Sequence, residues 1–184
     1  ANAMAFEPDT PAQARTTLDW IGADPAFMEA LGLELRAGRW FSEAASTDKF
    51  RPEASSGRDG AGAAVVLTER AATKLGVGSA ADAVGRRVIA RGNFDGARPL
   101  DVIGVVRDIY WRSATEEPEP TAFLFPEELT ATLVLKPEAG AQLPRRKIER
   151  LWNRLYPDRP SRLISLEAVF ESLLEGEENR SLLF

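Results

Sequence analysis

The stretch that most limits what this chain can fold into is residues 86–108, RRVIARGNFDGARPLDVIGVVRD. Two β-runs, residues 86–91 and 100–106, flank a turn containing Gly92, Asn93, Asp95 and Gly96, which is the pattern of a hairpin. Val102, Ile103, Val105 and Val106 form the densest β-branched cluster in the sequence. A continuous apolar run of that length fits a strand covered on both faces. Gly104 interrupts it, which marks a bulge or the close approach of another backbone. Nothing in the stretch is chemically reactive, so it reads as scaffold.

The rest of the chain is read around that hairpin. Ala1, Asn2, Ala3 and Met4 read as a tag-cleavage remnant, and residues 5–13, with Pro8 and Pro11, as an irregular lead-in. Residues 15–21 are predicted as a strand. Asp24 before Pro25 supplies an N-cap with proline at the first helical position, and Gly32 stops the short helix 26–31. Residues 33–35 resume extended structure, giving a β–α–β unit. The small, polar stretch 42–62, with Pro52 and Gly57, Gly60 and Gly62, reads as a mobile loop or linker. Its GRDGAG lacks both the preceding strand and the Lys-Ser/Thr pair that a phosphate cradle needs. Residues 63–67 form a strand, Thr68 caps a helix over 69–75, and Gly76 ends it. Residues 121–125 are a short strand closed by Pro126. Residues 130–135 are predicted as a strand returning to the first part, and 143–155 as the strongest amphipathic helix, with Leu143, Ile148, Leu151, Trp152 and Leu155 on one stripe. A strand over 162–166 and a helix over 166–174 follow.

What the chain lacks narrows its chemistry. With no cysteine and no histidine among its 184 residues, it has no thiol nucleophile, disulfide, usual zinc site or His-based acid–base pair. The net charge of −5 and the want of a basic stripe argue against a nucleic-acid partner. No DxDxDG-like loop offers a carboxylate metal site. Asp101, Asp108, Glu116 and Glu117 are the carboxylates near the hairpin, and a paired-carboxylate glycosidase would need two of them held together beside a sugar platform. No catalytic, cofactor-binding or metal-ligating residue is assigned. Trp20, Trp40 and Trp152 read as packing residues, and Tyr110 with Trp111 as the candidate partner contact.

Taken in order, several fragments resemble the extracytoplasmic core domain of MacB-type ABC transporter permeases, in the broader FtsX-like permease superfamily. Residues 24–32 (DPAFMEALG) followed by 35–41 (LRAGRWF) are similar to the family's D-x-F-x-x-L-G-x-x-L-x-x-G-R-x-F opening. Residues 64–69 (AVVLTE) with Leu75, then 84–88 (VGRRV), resemble its middle. Residues 102–108 (VIGVVRD) resemble its V-V-G-V-V-x-D strand, and 117–120 (EPEP) the segment before the next strand.

The resemblance implies an α+β fold of two subdomains: a Porter-like mixed α/β layer from residues 15–41 plus 130–175, and a smaller inserted Sabre-like, β-rich subdomain at 63–126. Residues 42–62 would link them, and 176–184 would run into a transmembrane helix. It also implies a non-catalytic role on the periplasmic face of the bacterial inner membrane. There the domain would relay motion from a cytoplasmic ABC ATPase, through the permease's own transmembrane helices, to efflux, lipoprotein release or envelope signalling. A periplasmic adaptor or lipoprotein and a second permease copy are the implied partners, and no cofactor is implied. The residues alone leave open a soluble small-molecule-binding domain or a structural envelope module.

Overall fold

The computed structural model describes residues 2–9, 15–51, 62–92, 96–110, 117–127, 132–160 and 162–165. The chain is a mixed α/β protein dominated by sheet. It divides into two compact units, one spanning Ala1–Trp111 and Glu117–Val134, the other Arg112–Glu116 and Leu135–Phe184. The first holds the strands β1 (Asn2–Pro8), β2 (Thr16–Gly22), β3 (Leu35–Gly38), β4 (Lys49–Phe50), β5 (Ala63–Thr68), β6 (Arg87–Arg91), β7 (Arg98–Val106) and β8 (Thr121–Pro126). Its helices are α1 (Pro25–Leu31), α2 (Glu69–Lys74) and α3 (Ala80–Ala83), and the second unit holds α4 (Arg145–Leu155). No helix among the described residues is long and apolar enough to cross a membrane.

The predicted hairpin is present: β6 and β7 pair antiparallel from Arg87 opposite Asp101 to Ala90 opposite Arg98. Around it six strands form a ring in the order β1-β6-β7-β5-β8-β2, and β2 returns to pair with β1. Closing a sheet on itself satisfies backbone groups that an edge strand would leave exposed.

Alternation along the strands fills the inside of the ring. Met4 and Phe6 of β1, Val65 and Leu67 of β5 and Ala122 and Leu124 of β8 share one buried cluster with Ala71, Ala72 and Leu75 of α2. The residues between them, including Val66, Phe123 and Phe125, join Met28 of α1 and Phe41 in a second cluster on the outer face. Two helix starts are fixed as expected. The Asp24 carboxylate accepts from Phe27 N at 2.6 Å, Gly32 ends α1 at φ 65°, and the Thr68 hydroxyl accepts from Ala71 N at 3.3 Å.

Strand β7 breaks its own alternation. Leu100, Val102 and Val105 all point into the ring, a spacing that changes from two to three. The register against β5 steps at the same place, from Val65 opposite Val102 to Val66 opposite Gly104, so Ile103 is an extra residue. On its other edge β7 is shared: β6 pairs with its first half and β3 with its second. Gly104 therefore marks both a bulge and a close approach. A side-chain carbon on it would lie 2.5 Å from the Arg39 carbonyl, and one on Gly38, at φ +80°, would lie 2.1 Å from the Ile103 carbonyl.

The structure departs from the sequence reading in four places. Residues 2–8 of the expected lead-in are a ring strand whose Met4, Phe6 and Pro8 are buried in alternation. β2 and β3 flank α1 but do not pair with each other; they pair instead with β8 and β7, so strands from the two expected subdomains share one sheet. Residues 132–138 and 162–165 carry no strand, and Leu133 and Ile164 are exposed. Over residues 42–51 the expected linker is a folded turn (Ser46–Asp48) followed by β4, with Phe41 and Phe50 buried. Residues 52–61, the expected helix 166–174 and the expected membrane run-in 176–184 lie outside the described residues.

Gly104→Ala places a methyl group against backbone rather than against a yielding side chain. It is expected to lower unfolding free energy by about 1–3 kcal/mol, the usual range for overpacking. Urea denaturation midpoints check this, with Gly85→Ala, where no atom lies within 4 Å of the added carbon, isolating backbone strain from collision.

Candidate interaction surface

Beyond Val106 the chain leaves the ring through Arg107, Asp108, Ile109 and Tyr110, and its polar groups are spent on holding that exit in place. Arg107 N donates to the Glu34 carbonyl at 2.9 Å and its guanidinium reaches the Glu34 carboxylate at 3.2 Å. Glu34 also accepts from Arg36 at 2.6 Å, and Arg36 lies 3.6 Å from Glu69. The Asp108 carboxylate accepts from Arg70 N at 2.8 Å, capping the first turn of α2, and the Arg70 guanidinium pairs with Glu117. Each surface pair contributes little alone. Together they fasten the exit to β3, α2 and the lead-in to β8.

Ile109 packs on the outer apolar cluster, and Tyr110 beyond it is half exposed. The structure thus places Tyr110 on a polar rim built from three elements. Trp111 lies outside the described residues. Trp20 packs against the cluster inside the ring and Trp40 against the outer one, in keeping with packing roles.

The carboxylates singled out from sequence are not gathered into a site. Asp101 sits across the β6–β7 ladder from Arg87, accepting from it at 2.8 and 3.3 Å, and holds the Arg87 guanidinium above its ordinary pKa. Asp108 is a helix cap and Glu117 an ion-pair partner; Glu116 lies outside the described residues. Among the described residues no three carboxylates are grouped so as to hold a metal ion.

One polar constellation escaped the sequence reading. Asp48 is 1% exposed and receives both terminal nitrogens of Arg39, at 2.7 and 2.8 Å, together with Ser42 N at 2.8 Å. Burial pushes its carboxyl pKa up, but the Arg39 guanidinium and the Ser42 N–H outweigh burial and hold it below the ordinary value. Asp48 lies in a stretch of small polar residues that looks solvated. The available signal was the pair Phe41 and Phe50, apolar residues that bracket the turn and are both buried.

A family model described as the MacB-like periplasmic core domain matches residues 4–151. Among solved structures, the chain is similar to the extracellular domain of the noncanonic ABC-type transporter YknZ from Gram-positive bacteria. That match has 19% identity and a TM-score of 0.43, covering 67% of this chain and 50% of that one. It is also similar to a domain of a permease protein from Porphyromonas gingivalis, at 16% identity and a TM-score of 0.48, covering 85% of this chain and 69% of the other. The chain spans about half the length of the first of these. No curated protein matches it.

Asp48→Asn is expected to lower stability at pH 7 by about 1.5–3 kcal/mol, the range for a charge-assisted hydrogen bond. The Arg39 side chain is half in water, which keeps the effect below that of a fully buried pair. Because the folded pKa is depressed, this stability is fully present above the unfolded pKa of about 3.9 and is lost as pH falls through the folded value. Chemical denaturation of both proteins at pH 7 and at a pH below the unfolded aspartate value should show the gap between them shrinking at the acid end.

Proposed function

This chain belongs to the MacB-like periplasmic core domain family, and on that premise we propose that it relays motion. It is an extracytoplasmic domain of an ABC-type permease and lies on the periplasmic side of the membrane. The relay would carry movement driven by a cytoplasmic ATPase, through the permease's own transmembrane helices, to a substrate or envelope partner. The observation that carries this reading is how the polar groups are used. In the first unit, carboxylates and guanidiniums near the hairpin bind each other or cap backbone, as suits a body moved whole rather than a site that does chemistry.

We assign the partner contact to the rim carrying Tyr110, with Trp111 beside it in sequence. A large aromatic with one polar end, exposed on a fastened loop, is the residue type that interfaces favour. Efflux, lipoprotein release and mechanical signalling all use such a contact, and a periplasmic adaptor, a lipoprotein or a second permease copy would fit it. We also draw the two subdomains along the compact units, the eight strands forming one and residues 112–116 with 135–184 the other, in place of boundaries at 15–41 and 63–126.

The test uses the full-length permease with its ATPase. The chain has no cysteine, so Tyr110→Cys introduces a single thiol into this domain. The expected outcome is labelling by a membrane-impermeant maleimide in spheroplasts, at a rate that changes several-fold between nucleotide-free and ATP-bound states. Identical rates in both states, with transport or partner activation intact after Tyr110→Ala and Trp111→Ala, would contradict the relay through this rim.

A further inference from the structure

Helix α4 has 11 residues, and a helix that short draws its stability from packing an apolar face more than from propensity. None of its residues is buried. Ile148, Leu151, Trp152 and Leu155 fall on one stripe. Leu151 is 47% and Leu155 60% exposed, with Tyr156 at 48% just beyond the helix.

The rest of the helix surface is basic. Lys147 and Arg154, seven residues apart, border the stripe on the Leu151 side, and Arg145 borders it on the Trp152 side. Arg146 and Arg150 lie opposite the stripe. Glu149 is the only acid of the helix, so five bases face one carboxylate in a chain whose net charge is −5. At the C-terminal end the Trp152 ring sits 4.9 Å from that of Tyr156, and Trp152 Nε1 donates to the Arg159 carbonyl at 2.8 Å. With its N–H satisfied, the indole can sit at an apolar boundary without a stranded donor.

We propose that α4 lies on an anionic phospholipid surface, its axis in the plane of the interface. Leu151 and Leu155 enter the boundary between headgroups and acyl chains, while Lys147 and Arg154 reach the headgroup phosphates along their own apolar stems. An apolar stripe with bases on both borders matches a surface that is anionic above and apolar below. A second copy is the poorer occupant, because it would set five bases against five, and like charges brought together at an interface are costly. An extracytoplasmic domain of a permease also shares its compartment with a phospholipid leaflet. The inference rests on that family assignment and not on the relay through Tyr110.

The test uses the 184-residue chain, whose lack of cysteine lets Leu151→Cys and Arg150→Cys each carry a single environment-sensitive NBD label. Partition into vesicles rich in phosphatidylglycerol should exceed partition into phosphatidylcholine vesicles at least about tenfold, as expected when several bases act near an anionic surface. On the anionic vesicles the label at 151 should shift to the blue and the label at 150, on the opposite face, should not. Lys147→Glu with Arg154→Glu should weaken binding by about tenfold or more. Equal partition into the two vesicle types would overturn the proposal. So would equal shifts at both positions, which mean adhesion by charge without entry of the stripe. A label at 151 already blue-shifted without vesicles would also overturn it: the occupant is then a second copy if the shift grows with protein concentration, and the chain itself if it does not.

Discussion

The crossing of Gly38 and Gly104 is the constraint on which the first unit depends. Two backbones pass so close there that a side-chain carbon on either glycine would collide with a carbonyl of the other strand's segment. The close pass lets β3 take over the edge of β7 where β6 ends, and the extra residue Ile103 resets which side chains face inward. Without that step, Val105 would face out and the ring would lose one of its largest buried β-branched residues. Arg39 and Phe41, next to the crossing, then fix the following turn: one pairs with buried Asp48 and the other enters the outer cluster. Two of the sequence fragments that resemble the family, AGRWF and VIGVV, are thus halves of one junction.

From that junction follows a body suited to being moved. A ring closed through β2 and β8 has few exposed strand edges, and its inside and outside are both packed with apolar side chains. Surface charges near the exit of β7 contribute through number and position rather than strength, since each exposed pair alone is worth a fraction of a kcal/mol to about 1. A closed sheet packed on both faces, with the exit of β7 held by hydrogen bonds and ion pairs, suits the relay proposed for the domain. The function proposed for the domain needs no more chemistry than that.

Much of this was legible in the residues, wherever local chemistry decides. Asp24 and Pro25, Thr68, Gly32 and Gly76 announce their helix boundaries through capping and left-handed glycine alone, and the 86–108 hairpin announces itself by pattern. The departures share another cause. The alternation of β1, Met4, Phe6 and Pro8, is carried by residues that resemble an irregular lead-in at a chain start. TATLVL has strand-like alternation, but its described residues 132–135 carry no strand. The ring itself was invisible, because β2 pairing with β8 joins residues about a hundred positions apart and no local signal encodes that. Tyr110 is half exposed at the end of the β7 exit, while Asp48 is buried within a stretch whose small polar residues look solvated.

The most direct measurement of whether this domain moves as one body is amide hydrogen exchange on the intact permease, with and without ATP. If the ring is a rigid relay, amides of β5, β7 and β8 exchange together, at the slow rate of global unfolding, and nucleotide leaves them unchanged. Strands that exchange at separate rates, or that loosen when ATP binds, would show that the ring deforms and that motion is not passed through it whole.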